Sequence, residues 1–170
     1  MRAKTNIAAR LAAESMAAKA ELEKEGLHLP EQPKFDIPDV PTRITEMDDP
    51  GLMNLFVRHT RWRGYLSGQL ALAEVDERYA EDLLTKLEAE ALIRNWGGNR
   101  EDRVTVAKAE REISPEVIEA KDKLQMAYAR RKLIAALVDA SDKNVAVISR
   151  ELTRRVGAEP TERRERRWTP

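Results

Sequence analysis

The side chains best suited to chemistry are concentrated in Arg58, His59, Arg61, Trp62, Arg63, Gly64 and Tyr65. On a helix, Arg58, Arg61, Trp62 and Tyr65 fall at i, i+3, i+4 and i+7, so guanidinium groups and aromatic rings share one face. Cations that follow phosphates, beside rings on which bases stack, are what binding of single-stranded nucleic acid requires. Trp62 also falls on an apolar stripe, where an indole serves equally well as core. Gly64 and Gly68 each cost a helix roughly 1 kcal/mol relative to alanine. Such a cost points to the close approach of another backbone or of a ligand.

A second basic region closes the chain. From Arg150 to Pro170 there are seven arginines against four glutamates, a net charge of plus three. Arg150, Arg154 and Arg155 begin it, and Arg130, Arg131 and Lys132 form a basic turn earlier on the same predicted helix. A polyanion could dock there, or interspersed Glu and Arg could simply solvate a tail.

Catalytic chemistry finds no such support. The two histidines, His28 and His59, stand at no metal-ligand spacing. The sequence has no glycine-rich phosphate loop and no nucleophile-elbow serine. Glu74, Asp76, Glu77, Glu81 and Asp82 read as a solvated helix face rather than an acid/base pair. No catalytic residue, metal ligand or cofactor is assigned, and the chain is not expected to be an enzyme.

The elements that must position these residues are helical. The chain has 170 residues, of which 35% are charged and 5% aromatic, a composition typical of long helices and coiled coils. Thirty basic and thirty acidic side chains cancel, so attraction to a polyanion depends on their distribution. Without cysteine there are no disulfides or thiolate metal sites. With no signal peptide or membrane-length apolar run, the expectation is a cytoplasmic protein without a membrane partner.

Residues 1–26 form an amphipathic helix capped by Thr5 or Asn6 and stopped by Gly26, with Ile7, Leu11, Ser15, Ala18 and Leu22 on a thin apolar face. In residues 27–49, prolines at 30, 33, 38 and 41 favour an extended arm. Its six acids and two bases give a net charge of minus four. Leu29, Phe35, Ile37, Val40 and Ile44 suit it to lie across a neighbouring subunit; otherwise it is a solvated linker. The first long helix spans about residues 50–96, with Asp49 as its cap, Pro50 in its first turn and Gly97–Gly98 as its stop. It would be roughly 70 Å long at 1.5 Å per residue.

The first long helix carries the stripe Leu52, Leu55, Trp62, Leu66, Leu70, Ala73, Ala80, Leu84, Leu87 and Ala91, interrupted by His59 and Glu77. Residues 100–113 read as a loop that can hold a short helix. Ser114 and Pro115 start the second long helix, at about 115–156, with the stripe Val117, Ala120, Leu124, Ala127, Ile134, Val138, Ser141, Val145, Ile148 and Leu152. Leu133 and Leu137 widen that stripe beyond a two-stranded seam. Residues 158–170 read as a basic, flexible tail.

The fold class expected is therefore all-α. Two long helices form an elongated antiparallel coiled-coil hairpin over residues 50–157, with an N-terminal helix and an extended proline-rich arm. Because a lone hairpin cannot bury both faces, it should form a homo-oligomer.

Several of these stretches resemble the UvsY-type recombination mediators of tailed phages. They are Trp62, Tyr65, Leu66 and Leu70 to Glu74, the helix start Ser114 to Val117, and the run Val147 to Arg155; together they cover about residues 52–155. The resemblance implies an oligomer that binds single-stranded DNA and helps load a recombinase while displacing a single-strand-binding protein, in the cytoplasm of the phage's bacterial host. It points to Arg58, Arg61, Trp62, Arg63 and Tyr65, and to Arg150, Arg154 and Arg155, as nucleic-acid-binding positions. The acidic run from Glu74 to Asp82 departs from a simple DNA-binding helix. The alternative is a phage structural or assembly protein built from oligomeric coiled coils and located in the virion.

Overall fold

A computed structural model describes residues 7–94 and 102–168. These residues are mostly helical and include no strand. In order, the elements are α1 (Ile7–Lys24), a 3-10 turn (Ile44–Glu46), α2 (Asp49–Arg94), α3 (Asp102–Ile113) and α4 (Pro115–Trp168). The two long helices, α2 and α4, pack against each other. The chain divides into two compact units, one of Met1–His28 with Gln69–Ile134, the other of Leu29–Gly68 with Ala135–Pro170. The expected caps Thr5 and Asn6, and the expected stop at Gly97–Gly98, lie outside the described residues.

In the first unit α1 ends by a mechanism that its sequence encodes. Gly26 adopts φ 80°, its N–H donates to the Glu23 carbonyl at 3.1 Å, and the Leu27 N–H reaches back to the Leu22 carbonyl at 3.0 Å. This is the Schellman closure that a left-handed glycine permits. On α1, Met16 and Leu22 are exposed and Ala18 is half-buried. The core of this unit is the α2–α4 seam: Leu83 packs with Ala120, flanked by Leu84 and Leu87, while Ala73, Ala80, Ala91 and Val117 are also buried.

Across the same seam Arg130 pairs with Asp76 at 3.2 Å, Arg131 with Glu77, and Lys121 with Glu88 at 3.7 Å. Part of the acidic run expected to be a solvated face is thus spent on α4. The basic turn at Arg130 and Arg131 is engaged in the same pairs. Residues 102–113, within the stretch read from sequence as a loop that can hold a short helix, are helical throughout as α3. Arg111, Glu110 and Glu112 are good helix formers, and neither glycine nor proline occurs in that stretch.

In the second unit the start of α2 differs from expectation by one residue. Asp48, not Asp49, is the cap: its carboxylate accepts the Gly51 N–H at 3.2 Å, and its carbonyl accepts the Leu52 N–H at 2.9 Å. Two adjacent aspartates made the choice ambiguous, and Asp49 is drawn away to Arg155 instead. A side chain on Gly51 would collide with the capping carboxylate, which explains a glycine in a first helical turn. Leu52, Leu55 and Ile148 form the core here, with Val40, Ile44, Met47, Phe56 and Leu152 packed around them.

His59, which interrupts the apolar stripe on paper, sits on the buried seam at 1% exposure. Neither ring nitrogen makes a hydrogen bond of ordinary geometry among the described residues, although the Pro38 carbonyl lies near enough to favour the charged ring. Burial outweighs that carbonyl and, helped by the neighbouring Arg58 charge, holds the imidazole below its usual pKa. The ring is therefore neutral at pH 7 and packs like a large apolar side chain.

α4 begins at Pro115 as expected, but the Ser114 hydroxyl donates to the Glu116 carboxylate at 2.7 Å instead of accepting a helix N–H. Its end contradicts the sequence reading, since residues 158–168, expected as a flexible tail, continue the helix to Trp168. Gly26 is the one glycine with positive φ among the described residues, and Gly157 stays helical. A glycine stops a helix only when it turns left-handed. The Glu and Arg residues beyond Pro160 are good helix formers that favour continuation.

Candidate nucleic-acid interface

The second unit contains Arg58, Arg61, Trp62, Arg63, Tyr65, Arg150, Arg154 and Arg155, whereas the basic turn Arg130–Lys132 belongs to the first. On α2, helical spacing sets Arg58, Arg61, Trp62 and Tyr65 along one side, and the Trp62 and Tyr65 rings meet edge to face at 5.7 Å. This face is not bare. Residues 29–36 of the same chain lie on it.

Each contact on that face uses a guanidinium or an indole N–H of α2. The Arg58 guanidinium donates through Nη2 to the Asp36 carbonyl at 2.8 Å and sits 4.8 Å from the centroid of the Phe35 ring. Trp62 donates its indole N–H to the Phe35 carbonyl at 3.2 Å. Leu29, Phe35, Val40 and Ile44 of the arm, read from sequence as either a clasp on a neighbouring subunit or a solvated linker, lie against residues of their own chain, while Ile37 is exposed. The close approach suggested by the two glycines is made by the same segment: a Cβ at Gly68 would lie 3.4 Å from Pro30, and one at Gly64 3.9 Å. Both are ordinary contact distances, so neither glycine is required by crowding.

Arg58 is only partly satisfied, because its Nε is buried with no hydrogen-bond partner among the described residues. Arg61 is exposed and makes no ion pair among those residues. It stands with Lys34 on the rim of an open cleft of about 500 Å³, lined also by Pro30, Glu31, Pro33, Phe35 and Gly64. Arg63 is turned elsewhere. It pairs with Asp142 of α4, and that carboxylate holds it firmly charged.

The C-terminal arginines are arranged differently. Glu151, 7% exposed, accepts from Arg154 at 2.7 Å and from Arg155 at 2.8 Å. These two guanidinium groups pull its carboxyl pKa down to about 2. Arg155 also reaches Asp49 at 2.5 Å and the carbonyls of Ile44 and Thr45 at 3.3 Å, tying α4 to the start of α2. Arg150 alone of the three is exposed and unpaired among the described residues.

No family model, curated protein or solved structure matches this chain. The site is therefore read from its own chemistry. The α2 cluster is visible in the sequence, whereas the placement of Lys34, Phe35 and Asp36 beside it is not. The one sequence signal for them was an excess of large apolar residues in an otherwise acidic, proline-bearing stretch. Among the described residues no group of His, Cys, Asp and Glu is arranged to hold a metal ion. No described helix is long and apolar enough to cross a membrane.

Proposed function

We propose that this chain is a non-enzymatic, homo-oligomeric recombination accessory that binds single-stranded DNA on the Arg58–Tyr65 face of α2. The observation that carries it is the contact made by Arg58 and Trp62, which together hold one planar ring and two backbone oxygens. A nucleotide offers the same pairing of ring and oxygen acceptors, with negative charge added. Arg61, exposed beside the cleft and without an ion pair among the described residues, would follow the phosphates.

The wider architecture belongs to the same proposal. The pairing of α2 with α4 is taken as an antiparallel hairpin, supported in one unit by Asp49 with Arg155 and Arg63 with Asp142, and in the other by Asp76 with Arg130 and Arg94 with Glu116. Residues 27–49 are its extended arm. Self-association is supported by apolar side chains left outside the seam on α4: Met126 and Leu133 are 65% and 69% exposed in the first unit, and Leu137 is 55% exposed in the second. The phage setting, the host cytoplasm, and the recombinase and single-strand-binding protein as partners follow from the resemblance to UvsY-type mediators.

Titrating a labelled oligonucleotide at two salt concentrations tests this proposal. Binding should weaken steeply with salt, and Arg61→Ala should lower the slope by about 0.7 for each phosphate it no longer neutralises. Absence of binding at low salt, both by the native chain and by variants with residues 29–38 undocked, would remove the proposal. The exposed α4 face also favours a second reading, a phage assembly protein. Assembly into particles without any DNA affinity would select that alternative.

A further inference from the structure

We infer that residues 29–38 are a built-in competitor, docked on the Arg58–Tyr65 face in the place a single strand would occupy; the inference rests on the single-strand binding proposed above. Charge is the first observation. Residues 29–38 carry Glu31 and Asp36 against Lys34, a net of minus one, and lie against the most basic turn of α2.

Geometry is the second. The Phe35 ring takes the position of a base against the Arg58 guanidinium, and the carbonyl oxygens of Phe35 and Asp36 take the position of phosphate oxygens. The fit is incomplete, because a neutral carbonyl satisfies one Arg58 donor and leaves Nε buried without a partner among the described residues. A phosphate would accept from a guanidinium at two oxygens at once and carry the opposing charge. Exchange of segment for strand thus replaces a neutral contact by a charge-assisted one.

The anchoring of the segment is the third. Val40, Ile44 and Met47, which follow it, are held in the Leu52–Leu55–Ile148 core. Residues 29–38 contribute nothing to that cluster, so they can leave the helix face while the unit stays folded. Arg61 and Lys34, open at the cleft rim, give an incoming strand its first phosphate contacts before the segment departs. A site available only part of the time binds with its affinity reduced by the available fraction.

The native chain lacks cysteine, so a Pro30→Cys, Gly64→Cys pair would carry the only disulfide. Oxidised, this variant should lose most of its affinity for a fluorescein-labelled oligothymidine at low salt, and reduction should restore it. Phe35→Ala should tighten binding by about tenfold, with faster hydrogen exchange over residues 29–38 as an independent sign of undocking. Equal affinity of the oxidised and reduced forms overturns the competitor. So does a Phe35→Ala chain that exchanges faster yet binds no tighter than a native chain that does bind. If the faster-exchanging variant and the native chain both fail to bind, single-strand binding itself is lost, and the competitor with it.

Discussion

Two arginine-centred contacts in the second unit use the same donor for opposite ends. At the start of α2, Arg155 and Arg154 are bound to the buried carboxylate of Glu151, with Asp49 and two carbonyls completing the tie over an apolar core. Further along α2, Arg58 is bound to one carbonyl and one ring, with a donor left over. A carboxylate-bound guanidinium gives up a charge-assisted bond if it turns to a phosphate, whereas a carbonyl-bound one gains such a bond. The first contact therefore reads as a permanent clasp and the second as an exchangeable one.

The largest effect should come from breaking the clasp at its core. Ile148→Ala removes a fully buried side chain and should cost about 2–5 kcal/mol in denaturant unfolding. Oligonucleotide affinity of the protein that remains folded should hardly change. A large loss of affinity in the folded protein would mean that the clasp and the exchangeable face are not separate.

Acid should loosen the two regions in different windows. Unfolded, the Glu151 carboxyl titrates near 4.5, and folded at about 2. The folded state thus binds fewer protons, and the stability from this carboxylate is full above 4.5 and lost as pH falls toward 2. His59 is also depressed, from 6.5, so the unfolded chain takes up its proton first and stability declines as pH falls below 6.5. Melting temperature against pH should show both limbs. Glu151→Gln should shrink the lower limb, to which the also depressed Glu116 contributes, and His59→Leu should remove the upper. A melting curve flat between pH 7 and 5 would contradict the buried, neutral His59.

The smallest expected effect is a gain. Gly64→Ala meets Pro30 only at van der Waals distance and should stabilise α2 by about 1 kcal/mol. Gly51→Ala should instead destabilise the helix start, because the added carbon strikes the Asp48 cap. Opposite signs in thermal unfolding would separate a glycine kept for its cap from one that packing does not require.

The sequence disclosed the parts of this comparison more readily than their pairing. The start of α4 at Pro115, the stop of α1 at Gly26 and the helical face shared by Arg58, Trp62 and Tyr65 follow from local rules of capping and periodicity, so they are visible in a few adjacent residues. What Arg58 and Arg155 touch is not local. Their partners lie 22 and 106 residues away, at Asp36 and Asp49. A guanidinium looks the same on paper whether a carbonyl, a carboxylate or a phosphate will meet it. His59 was hidden for a related reason: a polar symbol in an apolar stripe reads as an interruption, yet a neutral imidazole can fill a seam position. The helix beyond Gly157 went unread because a glycine's φ, not its presence, decides whether a helix stops.

Hydrogen exchange with and without a single-stranded oligonucleotide tests the exchangeable contact most directly. With saturating oligonucleotide, amides in residues 29–38 should exchange faster while protection around Ile44–Met47 and Ile148 stays unchanged, because the strand displaces the segment but leaves the clasp in place. Oligonucleotide that binds while residues 29–38 keep or gain protection would contradict the account, since the segment would then form part of the binding surface and would not compete for it.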